Sequence, residues 1–250
     1  MKAMILAAGL GTRLRPLTDD RPKALVTVAG RTLLELALSR LRSFGVRETI
    51  VNTHHYSEMI VDYLKANDNF GMRIEVSREE ALLDTGGGLK KAAPFFLERG
   101  GSVREPFILH NVDVISTIDL GRMMRFHTEH DALATLAVQD RATSRYLLFD
   151  QHGQLCGRRA GLDGKDELVR SAPVAQALAF CGIHVLSPRI LAKMDEEGAF
   201  SIIAAYMRLA AQGERIVAFR ADECYWRDLG RPENVMQAAQ DLASGAYSVT

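Results

Sequence analysis

Apolar residues recur along this chain in two alternating periods, and the alternation predicts an α/β fold. A buried strand is expected over about 2–8, a helix over 32–44 that stops before Gly45, and a strand over 48–53. A helix at about 57–66, a strand at 72–77, a helix at 88–97 and a strand at 106–112 continue the series. Strand–helix–strand units close by right-handed crossovers, so a Rossmann-like, mostly parallel sheet with helices on both faces follows. After a helix at about 119–130 the pattern changes to strands near 132–139, 145–149 and 154–157. Asp150-Gln151-His152-Gly153 is the hairpin turn between the last two, and the sheet becomes mixed. Residues 158–172, with Gly161, Gly164 and several charges, read as a loop. A long apolar strand over about 174–186 comes next. A helix after Ser201, strands near 215–220 and 224–227, and a helix with Pro232 in its first turn complete the series.

Composition leaves this picture intact and narrows the partners. The 250 residues are 47% hydrophobic and 25% charged, as in an ordinary globular protein with a sizeable core. Lys+Arg and Asp+Glu are 31 each, so no chain-wide field draws nucleic acid or an anionic membrane, and any phosphate-binding charge must be local. The N-terminal apolar run stops at Gly9 and meets Arg13 and Arg15, which argues for a strand rather than a signal peptide. The longest apolar stretch, Ala172 to Pro188, is broken by Gln176 and His184 and falls short of the ~20 residues of a membrane helix. Cys156, Cys181 and Cys224 are few, scattered and without a C-x-x-C, so neither a disulfide framework nor zinc is expected, and a cytoplasmic location fits.

Candidate chemistry begins after the first strand. Gly9-Leu10-Gly11-Thr12-Arg13-Leu14-Arg15-Pro16-Leu17-Thr18, then Pro22-Lys23-Ala24-Leu25, combines bare backbone N–H groups with Arg13, Arg15, Arg21 and Lys23. That is a polyphosphate cradle. It is not a P-loop, since G-x-x-x-x-G-K-S/T is absent, and Leu14 stands where a dinucleotide fold needs its third glycine. Asp113 ends the apolar segment Phe107-Ile108-Leu109-His110-Asn111-Val112, at the strand edge where open α/β sheets bind ligands. Asp228 lies in Tyr225-Trp226-Arg227-Asp228-Leu229-Gly230. Leu83-Asp84-Thr85-Gly86-Gly87-Gly88 offers three glycines ahead of a helix, where a planar base can lie against bare backbone. His54 with His55, and His127 with His130, lack a third ligand nearby and give zinc little support. No G-x-S-x-G or Ser/His/Asp order points to a covalent nucleophile.

The first of these motifs resembles the signature of the sugar-1-phosphate nucleotidyltransferase family, G-x-G-S/T-R-x-x-P-L/M-T followed by P-K-x-L/M, at every fixed position. Further matching segments follow in the family's order near 84–92, 107–114, 179–186 and 225–233. The resemblance implies one unit of the nucleotide-diphospho-sugar transferase fold over 1–250, its nucleotide-binding part at about 1–130 and its sugar-binding part at about 131–250. It implies an enzyme that transfers a nucleotidyl group from an NTP to a sugar 1-phosphate and releases pyrophosphate. Ala8, Gly9, Gly11, Thr12, Arg13 and Lys23 would hold the triphosphate, and Thr85, Gly86 and Gly87 the base. Asn111 and Gly182, the latter in the F-x-G-I-like Phe180-Cys181-Gly182-Ile183, would face the sugar, and Asp113 and Asp228 would hold one Mg²⁺. Arg13, Lys23 and Asp113 are the expected catalytic residues.

The Asp-Thr-Gly-Gly-Gly run is closest to the Glu-Thr-Gly-Gly-Gly of the family's N-acetylmuramate-1-phosphate uridylyltransferases, which favours UTP with that acceptor. GTP, dTTP and CTP stay open as donors, with guanylyl transfer to mannose 1-phosphate and thymidylyl transfer to glucose 1-phosphate as the alternatives. A non-catalytic regulatory subunit and a non-sugar acceptor such as phosphocholine compete more distantly. One departure stands out. The family's E-K-P, whose lysine meets the sugar phosphate, is replaced by Leu155-Cys156-Gly157-Arg158-Arg159-Ala160, leaving Arg158, Arg159 or Lys165 as candidates. Without an appended hexapeptide-repeat domain, one activity is expected, from a monomer or homodimer, with no nucleic-acid or membrane partner.

Overall fold

A computed structural model describes residues 1–97, 105–161 and 163–247. In chain order, the strands are β1 (Lys2–Leu6), β2 (Thr27–Val28), β3 (Arg31–Thr32), β4 (Glu48–Thr53), β5 (Arg73–Arg78), β6 (Phe107–Asn111) and β7 (Val114–Ser116). They continue as β8 (Ala134–Gln139), β9 (Arg145–Asp150), β10 (Leu155–Ala160), β11 (Asp166–Leu168), β12 (Ala175–Leu186), β13 (Ile216–Arg220) and β14 (Trp226–Asp228). The α-helices are α1 (Leu33–Ser43), α2 (Ser57–Ala66), α3 (Asp84–Lys91), α4 (Ala93–Leu97), α5 (Leu120–Glu129), α6 (Ile202–Ala211) and α7 (Pro232–Ala243).

Ten strands form one mixed sheet in the order β11-β10-β9-β12-β6-β1-β4-β5, with β8 pairing β12 and β13 on a branch. The strands β6, β1, β4 and β5 are parallel, and β12 runs antiparallel to β6. One face buries Leu34, Leu38 and Leu41 of α1 together with α2, α5 and α7, while the other buries Leu89, Phe95 and Phe96 of α3 and α4 with Tyr206 of α6. The expected Rossmann-like mixed sheet with helices on both faces is therefore present. Local signals explain the helix starts. The Thr32 hydroxyl accepts from Glu35 N at 3.0 Å, Asp119 Oδ1 from Arg122 N at 2.8 Å, and Pro232 occupies the first turn of α7. The Asp150–Gly153 turn also forms, with Asp150 Oδ1 accepting from His152 N and Gln154 N and Gly153 at φ 70°. No helix among the described residues is long and apolar enough to cross a membrane, and all three cysteines are free thiols.

Two expectations need correction. The helix expected over 88–97 starts at Asp84 and is broken between α3 and α4, so the three glycines lie inside it. The loop expected over 158–172, whose position 162 lies outside the described residues, instead contains a hairpin. There β10 pairs antiparallel with β11, and two bidentate contacts cross it, Arg158–Glu167 at 2.6 and 3.0 Å and Arg159–Asp166 at 2.5 and 3.1 Å. Their geometry, rather than apolar burial, registers a strand of three exposed residues.

Candidate active site

Parallel registry puts Leu6 beside Asn52 on one side and Asn111 on the other, so β1, β4 and β6 end on one line. The phosphate loop and the Asp113 segment leave the sheet there, after β1 and β6. From β1 the chain runs through buried Ala8 and exposed Gly9 to Gly11, which adopts φ 67°. A Cβ on Gly11 would lie 3.0 Å from Thr18 Cγ2 and 3.2 Å from Lys23 Cβ, so glycine lets the loop fold back onto Lys23. Thr18 seals the turn by donating its hydroxyl to the Gly11 carbonyl at 2.9 Å. Thr12 and Arg13 are exposed on a short 3₁₀ turn anchored by the fully buried Leu14. Of the four basic residues in this segment, Arg15 faces Asp19 and Arg21 faces Asp20 at the exposed surface. Only Arg13 and Lys23 turn toward the carboxylates.

Those carboxylates are brought together by a ribbon that the sequence did not disclose. The strand β14 pairs antiparallel with β7, placing Asp228 opposite Val114, and Leu229 N donates to the Asp113 carbonyl at 2.7 Å. Asp113, 8% exposed, forms an ion pair with Lys23, whose side chain is itself only 13% exposed. Lys23 is thus half-buried and engaged rather than a free loop lysine. Asp228 Oδ1 accepts from Gly230 N at 2.6 Å, and a Cβ on Gly230 would fall within 3.0 Å of Arg13 Nη2 and 2.6 Å of that same oxygen. Glycine at 230 therefore makes room for Arg13 beside Asp228. The Lys23–Asp113 ion pair and the neighbouring Arg13 and Asp228 thus gather two carboxylates and two cations at one place. Among the described residues there is no group of three or more His, Cys, Asp or Glu that could hold a metal ion. A pair of aspartates at a phosphate loop suits Mg²⁺, which takes few carboxylates and fills its remaining positions with phosphate oxygens and water.

The histidines are engaged elsewhere. His127 Nδ1 meets Thr135 Oγ1 at 2.9 Å, His130 Nδ1 the Phe126 carbonyl at 2.8 Å, and His54 Nδ1 the Glu79 carbonyl at 2.8 Å, while the His55 ring lies tilted against Tyr56.

The glycines of α3 do something other than offer a bare platform. Gly86 N and Gly87 N both point at the Phe200 carbonyl, at 2.9 and 3.3 Å, and a Cβ on Gly86 would overlap the Phe200 ring. A Cβ on Gly87 would sit 2.5 Å from the Gly198 carbonyl oxygen. On Gly88 it would meet Asn52 Nδ2 at 2.7 Å and Glu79 Oε1 at 2.8 Å. The Thr85 hydroxyl accepts from Ile202 N at 2.9 Å and so helps cap α6. Missing side chains let α3 close onto its neighbours. Behind Gly88 lies a pair that motif reading missed. Asn52 accepts from Ala7 N at 2.7 Å and donates to Glu79 Oε1 at 2.7 Å, and Glu79 Oε2 accepts from Leu83 N at 3.0 Å. Both are more than nine-tenths buried, and the one available signal was a polar Asn in the apolar run of β4.

Past Asn111, β12 continues beyond the line on which β1, β4 and β6 end and carries β9, β10 and β11 with it. Gly182 stands there at φ 73°, inside an irregularity of the β12–β8 pairing, and its Cβ would press on Asn111 Nδ2 at 2.8 Å. Close packing of Gly182 on Asn111 is thus a firm requirement. Of the three candidates for the missing lysine, Arg158 and Arg159 are bound to Glu167 and Asp166, and Lys165 is exposed on the hairpin between them.

Residues 2–245 match the family model for nucleotidyl transferases. The N-acetylmuramate alpha-1-phosphate uridylyltransferase of Caulobacter vibrioides is 34% identical over 252 residues, 96% of either chain. The mannose-1-phosphate guanylyltransferase of Mycobacterium tuberculosis is 28% identical over 248 residues, which are 97% of this chain and 65% of that one. Among solved structures, UDP-glucose pyrophosphorylase complexed with UDP-glucose matches with a TM-score of 0.78 at 18% identity, covering 98% of both chains. HddC from Yersinia pseudotuberculosis matches at 0.75 and 22%, over 96% of this chain and 99% of that one. At these identities the two structures establish a shared fold.

Proposed function

The chain belongs to the nucleotidyl transferase family, and from that premise we propose that it transfers the uridylyl group of UTP to N-acetylmuramate 1-phosphate with release of pyrophosphate. Sugar-1-phosphate nucleotidyl transfer as a class follows from the family and its relatives. The observation that carries the mechanism is the Lys23–Asp113 ion pair beside Arg13 and Asp228 at the ends of β1 and β6. That cluster is where a triphosphate's charge can be met. Favouring UTP and N-acetylmuramate 1-phosphate is the relative of 34% identity that matches this chain end to end.

An acceptor phosphate oxygen attacks the α-phosphorus, a new P–O bond forms, and the bond from the α-phosphorus to the bridging oxygen breaks as pyrophosphate leaves. The attacking oxygen is already anionic near neutral pH, so no general base is required. Arg13 offers a planar, bidentate donor set to the phosphates and Lys23 a compact charge. Amides of Ala8, Gly9, Gly11 and Thr12 surround the same chain of oxygens, and fixed donors of this kind stabilise charge as it shifts toward the leaving group. Asp113 and Asp228 would hold Mg²⁺, which supplies charge neutralisation and alignment of the phosphates. In this reading the start of α3, where Thr85 precedes Gly86 and Gly87 packed onto Phe200 and Gly198, would border the base pocket, while Asn111 and Gly182 would face the sugar.

A matrix of UTP, GTP and dTTP against N-acetylmuramate, mannose and glucose 1-phosphates, read by pyrophosphate release, tests this assignment. The favoured pair is expected to lead in kcat/KM by at least ~10-fold, about 1.4 kcal/mol of differential transition-state binding. A lead of that size for GTP with mannose 1-phosphate would replace the substrate assignment and leave the reaction class in place.

A further inference from the structure

Of the arginines near the site, Arg141 has an unusual combination of partners. It follows β8 directly. Its guanidinium carbon lies 3.7 Å from the centre of the Trp226 ring, and its Nη2 donates to the Phe180 carbonyl at 2.9 Å. Its Nε is buried without a hydrogen-bond partner. No carboxylate pairs with Arg141 among the described residues, and the acid on the adjoining turn, Asp222, is taken by Arg220 at 2.7 Å. The thiol of Cys181 lies against it, but burial pushes that thiol up to about 12, so it supplies no countercharge near neutral pH. Arg158 and Arg159, which the sequence offers for an anion, are each neutralised by a bidentate carboxylate.

The place of this cation ties it to the site. Three successive residues of β12 fix three groups side by side. The Phe180 carbonyl holds Arg141, the Cys181 carbonyl accepts from Trp226 Nε1 at 2.7 Å, and Gly182 presses on Asn111. Trp226 is also two residues before Asp228 on β14. Stacking on an indole fixes the plane of a guanidinium while leaving its edge N–H groups for a ligand. A half-buried guanidinium held in plane by Trp226, with no carboxylate paired to it among the described residues, is short of one anion.

Resting on the reading above, we infer that Arg141 is the anion-binding residue for the acceptor and takes over the task of the absent E-K-P lysine. The anion is the acceptor's 1-phosphate or a carboxylate carried on its ring. Trp226 is the chain's only tryptophan, so its emission reports on this guanidinium directly. Binding at Arg141 is therefore readable without turnover.

The test is titration of Trp226 fluorescence in the full chain with inorganic phosphate, glucose 1-phosphate, N-acetylmuramic acid and neutral glucose. A saturable change with phosphate and glucose 1-phosphate, absent with glucose and abolished in Arg141→Met, is expected for a phosphate site. A response to N-acetylmuramic acid alone places the carboxylate there instead. In turnover with the most active pair of substrates, Arg141→Met is expected to raise the acceptor KM by ~10-fold or more while the NTP KM stays within about 2-fold. Arg141→Lys, which keeps a charge, is expected to recover part of the loss. No anion response in the parent overturns the inference, as does an unchanged one in Arg141→Met. These readings are independent of which base and sugar win the substrate matrix, so failure of one assignment leaves the other standing.

Discussion

At Asp113 the protein keeps a carboxylate that is nearly buried, and among the described residues the cation paired with it is Lys23. Lys23→Met is expected to lower kcat by ~10²-fold or more by removing fixed positive charge from the triphosphate. It is also expected to cost about 1–2 kcal/mol of stability, because Asp113 is left uncompensated in a nearly buried position. Adding Asp113→Asn to that variant would return most of the lost stability without returning activity, a contrast read from urea midpoints beside pyrophosphate release. If the double variant is no more stable than Lys23→Met, the ion pair carries no structural weight. The residues of this cluster were legible because Arg13, Lys23, Asp113 and Asp228 belong to short motifs of fixed spacing. Asn52, Glu79 and Arg141 were not. Their significance lies in contacts between distant strands, such as Ala7 N to Asn52 and Arg141 to Trp226, that no local pattern encodes.

Three consecutive glycines weaken a helix by roughly 1 kcal/mol each relative to alanine, which is why the sequence placed the start of α3 four residues late. Tertiary contact overrides propensity here. Gly87→Ala and Gly88→Ala are expected to destabilise by about 1–3 kcal/mol despite the better helix former, since each Cβ would meet packed atoms at 2.5–2.8 Å. For Gly88 those atoms are Asn52 Nδ2 and Glu79 Oε1, so the damage should extend through Asn52 to the Ala7 amide and appear as a raised NTP KM. Thermal midpoints and NTP saturation curves check both, and a stabilised Gly88→Ala would refute the packing argument. The β10–β11 hairpin escaped notice for a related reason. Its second strand is three exposed residues without apolar alternation, and two salt bridges specify it. The parallel strands β1, β4 and β6 were readable because their apolar runs are buried on both faces.

Across the whole molecule three histidines are enclosed as neutral bases. Burial lowers His110 and His127 to about 4 and His184 to about 3, and His184 Nδ1 is held by the Tyr206 hydroxyl at 2.8 Å. In the unfolded chain each takes a proton near pH 6.5, so below that value the unfolded state binds more protons than the folded one. Folding stability is therefore expected to fall as pH drops from about 6.5 toward 4, by about 1.4 kcal/mol per pH unit for each histidine. Denaturant midpoints across that range measure the slope, and His184→Gln is expected to reduce it by one histidine's share. An unchanged slope in that variant would mean that His184 does not titrate on unfolding. The main sheet is open at β5 and β11, whereas the outer side of the branch strand β13 is met by Gln154 opposite Val217 and by the Gly153 carbonyl, which accepts from Ala218 N at 2.8 Å. Each open margin carries charge: Arg73, Glu75 and Arg78 on β5, and Asp166 and Glu167 on β11. Another molecule adding a strand at any of these borders would have to bury ionised groups or break their pairs with neighbours. The Arg158–Glu167 and Arg159–Asp166 bridges thus also act as a guard against self-association, and neutralising them with apolar residues would turn a sealed border into a template for aggregation.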